Sequence, residues 1–350
     1  MMKKKRIVVK LGSSVIAPGG RIDKKFLKDI SRQICRLMDN KVEVCLVSSG
    51  AIVAGMSNLG WGVLPRKLSL LQAAASVGQG DLINIYGRIF RKYGRLCGLI
   101  LLTWDDFQRR DRYINAKQTF NTLFEQGVIP VVNENDTIST EEIKFGDNDK
   151  LSAMVAGLID ADKLILLSDV EGFYFQGKLL DTVTSFSDIL FKEVKKKKLS
   201  FTRGGMDSKL KAADKAVSCG IKAIIANGRG KDTLLRMVLR KEKIGTLFVP
   251  KEKLPARKRW IAYSRKAKGA LYVDRGAEKA LFERLSSLLS QGIIKVEGDF
   301  LKNDTVTIFN DKNSILGWGL VSYESGFLKK NRGRKLPLEV IHRNHLVLRK

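Results

Sequence analysis

Two rhythms of apolar residues alternate along the first 250 positions. Short, almost unbroken apolar runs end in glycine or small polar residues. They lie at 6–12 (RIVVKLG), 42–48 (VEVCLVS), 96–103 (LCGLILLT), 128–133 (VIPVVN), 163–168 (KLILLS), 222–227 (KAIIAN) and 246–249, and predict buried strands. Between them, apolar positions recur three and four apart. Asp23 is placed to cap a helix whose face is Phe26, Leu27, Ile30, Ile34, Leu37 and Met38, with Asn40 closing it. Further helices are predicted at 66–93 with a break near Gly78–Gly80, and at 111–126, 149–160, 207–219 and 231–241.

Strands alternating with helices of this length form crossover units and a mostly parallel sheet covered on both faces. The fold class is therefore α/β, a three-layer sandwich over residues 1–250. In such sheets ligands gather beyond the carboxyl ends of the strands. Residues 251–265 (KEKLPARKRWIAYSR) are charged, contain Pro255 and show no period, so they read as a linker. Residues 266–350 change character. Strand-like runs at 270–273, 293–297, 305–309 and 314–323 surround one helix at 277–290, a small β-rich domain.

Composition narrows the function. Lysine and arginine number 64 against 36 acidic residues, a net charge of +28. The last hundred residues are about twice as basic per residue as the rest. That field favours anionic partners, although a general lysine habit accounts for most of it. The two histidines, His342 and His345, stand at the far C-terminus and read as solvated. A histidine base, a Ser-His-Asp triad or a histidine metal site would have to be built from the tail. Four cysteines, at 35, 45, 97 and 219, form no CxxC pair and read as reduced, buried thiols. No apolar run is long enough to span a bilayer, and the start is too short for a signal-peptide core. The expectation is a cytoplasmic protein.

Five polar motifs follow strand ends. Lys10-Leu11-Gly12-Ser13-Ser14 places a lysine before a turn whose backbone N–H groups can face an anion. Ser48-Ser49-Gly50-Ala51 supplies small hydroxyls. Asn133-Glu134-Asn135-Asp136 and Gly146-Asp147-Asn148-Asp149 are the most polar blocks in the chain, more than caps and turns account for. Ser168-Asp169-Val170-Glu171-Gly172 ends another strand. Finally, Thr202-Arg203-Gly204-Gly205-Met206-Asp207-Ser208-Lys209 is a glycine-rich loop opening a helix with a lysine in its first turn. Neither GxxxxGK[ST] nor a GxGxxG after the first strand occurs. Lysines at both ends of one domain, with carboxylates and amides between, point to phosphoryl transfer, which needs positioned cations more than covalent help.

Taken in order, KLGSS, SSGA, NEND, GDND, LLSDVEG and RGGMDSK resemble the amino acid kinase superfamily, and within it the branch that phosphorylates glutamate. Val273–Ala277, Ser286–Leu289, Gly292-Ile293 and Val296–Phe300 resemble a PUA domain, a type that elsewhere binds RNA; a regulatory or architectural appendage is the favoured reading here.

The resemblance implies an amino acid kinase fold followed by a PUA-like domain. It implies that ATP and L-glutamate, with magnesium, give ADP and γ-glutamyl phosphate at the head of proline synthesis. By the same resemblance Lys10 stabilises the transferring phosphoryl group and contacts ATP, Lys209 binds the ATP phosphates, and Asp149 holds both lysines. Ser49, Asp136 and Asn148 bind glutamate, with Asp147 beside them. Ser168, Asp169, Arg203, Gly204, Gly205, Met206, Asp207, Ser208 and Lys209 line the ATP site. No residue is assigned to a protein-held metal. A homo-oligomer, dimer or tetramer, and proline as feedback inhibitor are further implications. The alternatives are the same fold with another acceptor, or an RNA-binding PUA protein with a vestigial kinase domain.

Overall fold

The run KRIVVKL forms β1 (Lys5–Leu11), almost wholly buried, at the middle of the principal sheet. A computed structural model describes residues 4–138, 148–186, 205–250 and 267–348. The predicted linker, 251–265, lies outside them. Two compact units divide the chain, Met1–Lys253 and Leu254–Lys350.

In the first unit β1 leads through the short α1 (Ser13–Ile16) to α2 (Lys24–Asp39). The Asp23 side chain caps α2, accepting a 2.9 Å hydrogen bond from the Phe26 N–H. Next come β2 (Val42–Ser48), α3 (Ala51–Asn58), α4 (Leu68–Arg91), β3 (Cys97–Leu102), α5 (Trp104–Gln108), α6 (Arg110–Glu125) and β4 (Ile129–Glu134). The chain continues through α7 (Asp149–Leu158), β5 (Lys163–Ser168), the small strands β6 (Tyr174–Phe175), β7 (Lys178–Leu179) and β8 (Thr182–Val183), then α8 (Met206–Ser218), β9 (Lys222–Asn227), α9 (Thr233–Val238) and β10 (Thr246–Phe248).

The sheet order is β3-β4-β2-β1-β5-β9-β10-β8, and every pairing is parallel except β9 with β10. Strands buried on both faces are apolar through their centres, as the sequence requires of a covered parallel sheet. One face packs Ile7, Val9, Leu11, Ile165, Leu167, Ile224 and Ala226 against α2, α4 and α9. The other face receives α7 and carries Lys10.

Helix α4 runs unbroken where a break near Gly78–Gly80 was expected. Its glycine serves packing. A Cβ on Gly78 would lie 1.9 Å from the Ala51 carbonyl oxygen, and one on Gly55 1.7 Å from that of Ala74. Helices α3 and α4 touch backbone to backbone, so only glycine fits at either place. Helix α9 is shorter than the predicted 231–241, because Asp232 and Lys241 take left-handed backbone angles on either side of it.

The second unit contains β11 (Gly269–Val273), α10 (Arg275–Glu283), β12 (Ile293–Gly298), β13 (Thr305–Phe309), β14 (Ile315–Leu320), α11 (Ser325–Lys330) and β15 (Leu346–Leu348). Its sheet order is β12-β11-β13-β14-β15, closed over a core of its own that includes Leu271, Leu281, Ile308 and Val340. The helix expected over 277–290 stops at Glu283. Leu285 turns left-handed, and buried Leu288 leaves to bridge Ile341. His342 is not merely solvated; its Nδ1 accepts from the Asn344 N–H at 3.2 Å and caps the turn before β15.

Candidate active site

The parallel strands β1, β2, β4, β5 and β9 all end at the same edge of the sheet. Lys10, penultimate in β1, is 1% exposed. Its Nζ meets Oδ1 of Asp149, the first residue of α7, which is fully buried. The other oxygen, Oδ2, lies 3.6 Å from Nζ of Lys209 in the first turn of α8. Thus β1, α7 and α8 converge on a single carboxylate. Two ammonium groups gathered on one carboxylate concentrate positive charge in a water-poor place, where it acts strongly on an arriving anion.

Around Lys10 the chain stays close. Gly12 donates its N–H to the Leu167 carbonyl at 3.2 Å, and a Cβ on Gly12 would stand 3.7 Å from the Lys10 Nζ, in the space above the ammonium. Asp169, just past β5, accepts from the Ser168 hydroxyl at 2.9 Å and the Ser14 hydroxyl at 3.0 Å. Burial alone would raise its pKa; those two hydroxyls, a backbone N–H and the charge of Lys209 hold it below the ordinary carboxylate range. Gly205 caps α8, and Met206, Asp207 and Ser208 form its first turn beside Lys209. The first N–H groups of such a helix have no intrahelical acceptor, and the macrodipole favours a phosphate there. Asp207 is occupied by Lys211 at 2.6 Å.

On the other side of Lys10 stands a chain of amides. Asn148 donates through Nδ2 to the Ser48 carbonyl at 2.8 Å and to Oδ1 of Asn133 at 2.7 Å. Asn133 in turn donates to Oε1 of Gln79 on α4 at 2.7 Å, and its Oδ1 also takes the Glu134 N–H at 2.9 Å. The Ser48 hydroxyl pairs with the Tyr86 hydroxyl at 2.8 Å, and burial pushes that phenol well up. Gln79 and Tyr86 thereby fix the far end of the network. The Gly78-Gln79-Gly80 stretch concealed this role, because in sequence it looked like a helix break.

Two predicted groups are left facing open chemistry. Among the described residues, the buried Ser49 hydroxyl has no hydrogen-bond partner. Among the described residues no cation acts on the half-buried Asp136, and burial pushes its carboxyl up to about 6. A carboxylate in that position gains most from a cation brought by a ligand. Asp147, Arg203 and Gly204 lie outside the described residues. Trp104 was not anticipated. Its ring lies 3.7 Å from the Lys150 Nζ on α7 and 4.4 Å from the Lys215 Nζ on α8, tying together the helices that carry Asp149 and Lys209.

Residues 5–227 match the model of the Amino acid kinase family, and residues 269–340 that of the PUA domain. The chain belongs to the amino acid kinase family. It is 39% identical to a protein named Glutamate 5-kinase from Thermoanaerobacter sp. (strain X514), over 98% of this chain and 97% of the relative. It is 44% identical to a protein of the same name from Caldanaerobacter subterraneus subsp. tengcongensis, over 87% and 84%. The solved carbamate kinase of Giardia shares the fold, at TM-score 0.50 and 16% identity, over 71% of this chain and all of that one. The mostly parallel sheet and the sheet-rich second unit are those expected from the sequence pattern, and the kinase family and PUA matches those expected from the resemblance. Among the described residues no helix is long and apolar enough to cross a membrane.

Proposed function

We propose that the chain is a glutamate 5-kinase. It transfers the γ-phosphoryl group of ATP to the γ-carboxylate of L-glutamate, giving ADP and γ-glutamyl 5-phosphate, the first step of proline biosynthesis. The observation that carries this reading is the buried Lys10–Asp149–Lys209 arrangement at the carboxyl edge of the sheet.

Lys209 and the first turn of α8 hold the ATP phosphates, and Ser168 and Asp169 line the nucleotide site beside them. Lys10 meets the oxygens of the phosphoryl group in flight. Asp149 keeps both ammonium groups at fixed separation before the substrates arrive, so no reorganisation is needed when charge develops. Asn148, oriented by Asn133, and the unengaged Ser49 hydroxyl face the glutamate. Asp136, whose carboxyl burial raises, takes its α-ammonium. Asp147, Arg203 and Gly204 complete the two subsites by resemblance. No general base is required, because the attacking γ-carboxylate is ionised at neutral pH; histidine is accordingly dispensable.

Magnesium suits this donor set as a companion of ATP. Asp149 is taken by two lysines, and among the described residues no group of three or more His, Cys, Asp or Glu could hold a metal ion. Magnesium ordinarily rests on nucleotide phosphates and one or two carboxylates. The ionised Asp169 is the residue to hold it, and its contribution is to neutralise phosphate charge.

Residues 1–250 carry both substrates, 251–265 link, and 266–350 form the PUA-like appendage. A cytoplasmic homo-oligomer, inhibited by proline, accompanies the reading by resemblance. The test is purified protein with ATP, magnesium and glutamate, the acyl phosphate being trapped by hydroxylamine. Glutamate-dependent hydroxamate is expected. Its absence, or a preference for aspartate, an acylated glutamate or a nucleoside monophosphate in a substrate panel, would reassign the acceptor.

A further inference from the structure

The opposite edge of the same sheet, where the parallel strands begin, carries a second concentration of positive charge. Side chains alternate along a strand. Ile7, Val9 and Leu11 point into the core against α2, α4 and α9, so Lys5 lies on that same face. By the same alternation Lys163 lies with Ile165 and Leu167, and Lys222 with Ile224 and Ala226. The three strands are neighbours, β1-β5-β9. Lys163 is in register with Lys222 on one side and with Ile7, two residues past Lys5, on the other.

Neighbouring strands run about 4.8 Å apart, and like charges set directly opposite destabilise a sheet. The end of α9 closes the row. Lys5 donates through Nζ to the Val238 carbonyl at 3.4 Å, and Lys241, three residues on, adds its charge to those acting on Lys5 and Lys163. Asp162 is the carboxylate that faces this group, and its Oδ2 also accepts from the Arg6 N–H at 3.0 Å. Glu242 nearby is drawn away by Arg236 at 2.7 Å and Arg240 at 3.9 Å. Lys5 and Lys163 are half-buried; burial first, and the crowding of the other ammonium groups with it, lowers both below the ordinary lysine range.

We propose that Lys5, Lys163, Lys222 and Lys241 form a binding site for a compact, multiply charged inorganic phosphate anion of the pyrophosphate class. Among the described residues four ammonium groups against one carboxylate leave a charge that a single chloride does not balance, and a diphosphate can span adjacent strands to touch several at once. The site is separate from the phosphoryl-transfer centre, since the strands that start here end there.

The test uses the full chain and the K222Q/K241Q variant, which alters the two exposed lysines and leaves half-buried Lys163 in place. Melting is followed in low-salt buffer with pyrophosphate added. Any pyrophosphate bound at the kinase centre acts alike on both proteins, so their difference reports the row. In anion-free buffer the variant should melt no lower than the parent. Pyrophosphate should raise the parent's Tm more than the variant's, the apparent affinity of the lost component falling at least tenfold. Chloride at matched ionic strength should give a smaller rise. Equal pyrophosphate responses in the two proteins would overturn the proposal, as would a chloride response matching that of pyrophosphate. A variant that melts well below its parent without anion would show that the lysines stabilise the fold unaided, and would overturn it too.

Discussion

Lys209 reaches Asp149 from one helix to the next, Nζ to Oδ2 at 3.6 Å, while Lys10 takes the other oxygen from below. A lysine and the carboxylate it shares are therefore not equivalent to change. In Lys10→Met the carboxylate keeps Lys209, and the fold should survive with a modest loss. In Asp149→Asn two buried ammonium groups lose the carboxylate they share, a class of defect worth about 3–5 kcal/mol. Both should lower turnover by roughly 10²-fold or more, the magnitude of removing a preorganised charge. Urea unfolding beside the hydroxamate rate separates them: D149N should lose stability and rate, K10M chiefly rate. Near-normal turnover in K10M would remove Lys10 from the chemistry.

Asn133 touches no substrate in this scheme, but it aims the amide that does. Its Oδ1 fixes Asn148 at 2.7 Å, and its own Nδ2 is fixed by Gln79 at the same distance. Asn133→Ala should raise the glutamate KM about tenfold, equivalent to about 1.4 kcal/mol, with the ATP KM unchanged. Gln79→Leu should give a weaker effect of the same kind. A rise confined to the ATP KM would contradict the direction of the chain.

Asp136 makes the enzyme sensitive to mild acid. With no ligand, burial raises its carboxyl from 3.8 to about 6. The folded chain then holds this proton more tightly than the unfolded one, so stability falls as pH climbs from about 4 to 6 and the full cost is present above that. Asp136→Asn should accordingly be more stable than the parent at pH 7–8, by on the order of 2 kcal/mol, the gap closing toward pH 4. Glutamate binding runs the other way, because its ammonium needs the ionised form. The parent's kcat/KM for glutamate should drop below about pH 6, and a flat profile there would deny Asp136 that contact.

Where α3 crosses α4, Gly55→Ala would set a methyl 1.7 Å from the Ala74 carbonyl oxygen. Backbone on both sides leaves no flexible group to yield. A loss of several kcal/mol is expected, more than the usual 1–3 kcal/mol of overpacking, read as a lowered denaturation midpoint. Gly80→Ala, with open space around its Cβ, should by contrast be neutral or mildly stabilising.

Much of this was legible before any coordinates, and the reason is periodicity. Strands such as Lys163–Ser168 are buried on both faces and spell an unbroken apolar run, and Asp23 announces α2 by the cap it makes. The lysine pair was legible because it lies in two motifs at strand and helix ends. Less visible were the contacts that depend on approach. Gly78 reads as a helix breaker until α3 is seen against it. Gln79 sits in an expected helix break, Tyr86 reads as an ordinary helix residue and Trp104 falls between expected elements, until their partners arrive from β4, β2 and α8. Long-range geometry leaves little trace in a local pattern. For the same reason the lysines at 5, 163 and 222 look like scattered surface charge until the strand register aligns them.

The shared carboxylate has a consequence for how this sequence changes over time. Positions 10, 149 and 209 lie far apart in the chain yet form one electrostatic unit, so replacing any one alters the worth of the other two. A drifting lineage cannot trade them one at a time through working intermediates. It keeps all three or abandons the reaction, and a descendant lacking one would be free to lose the rest.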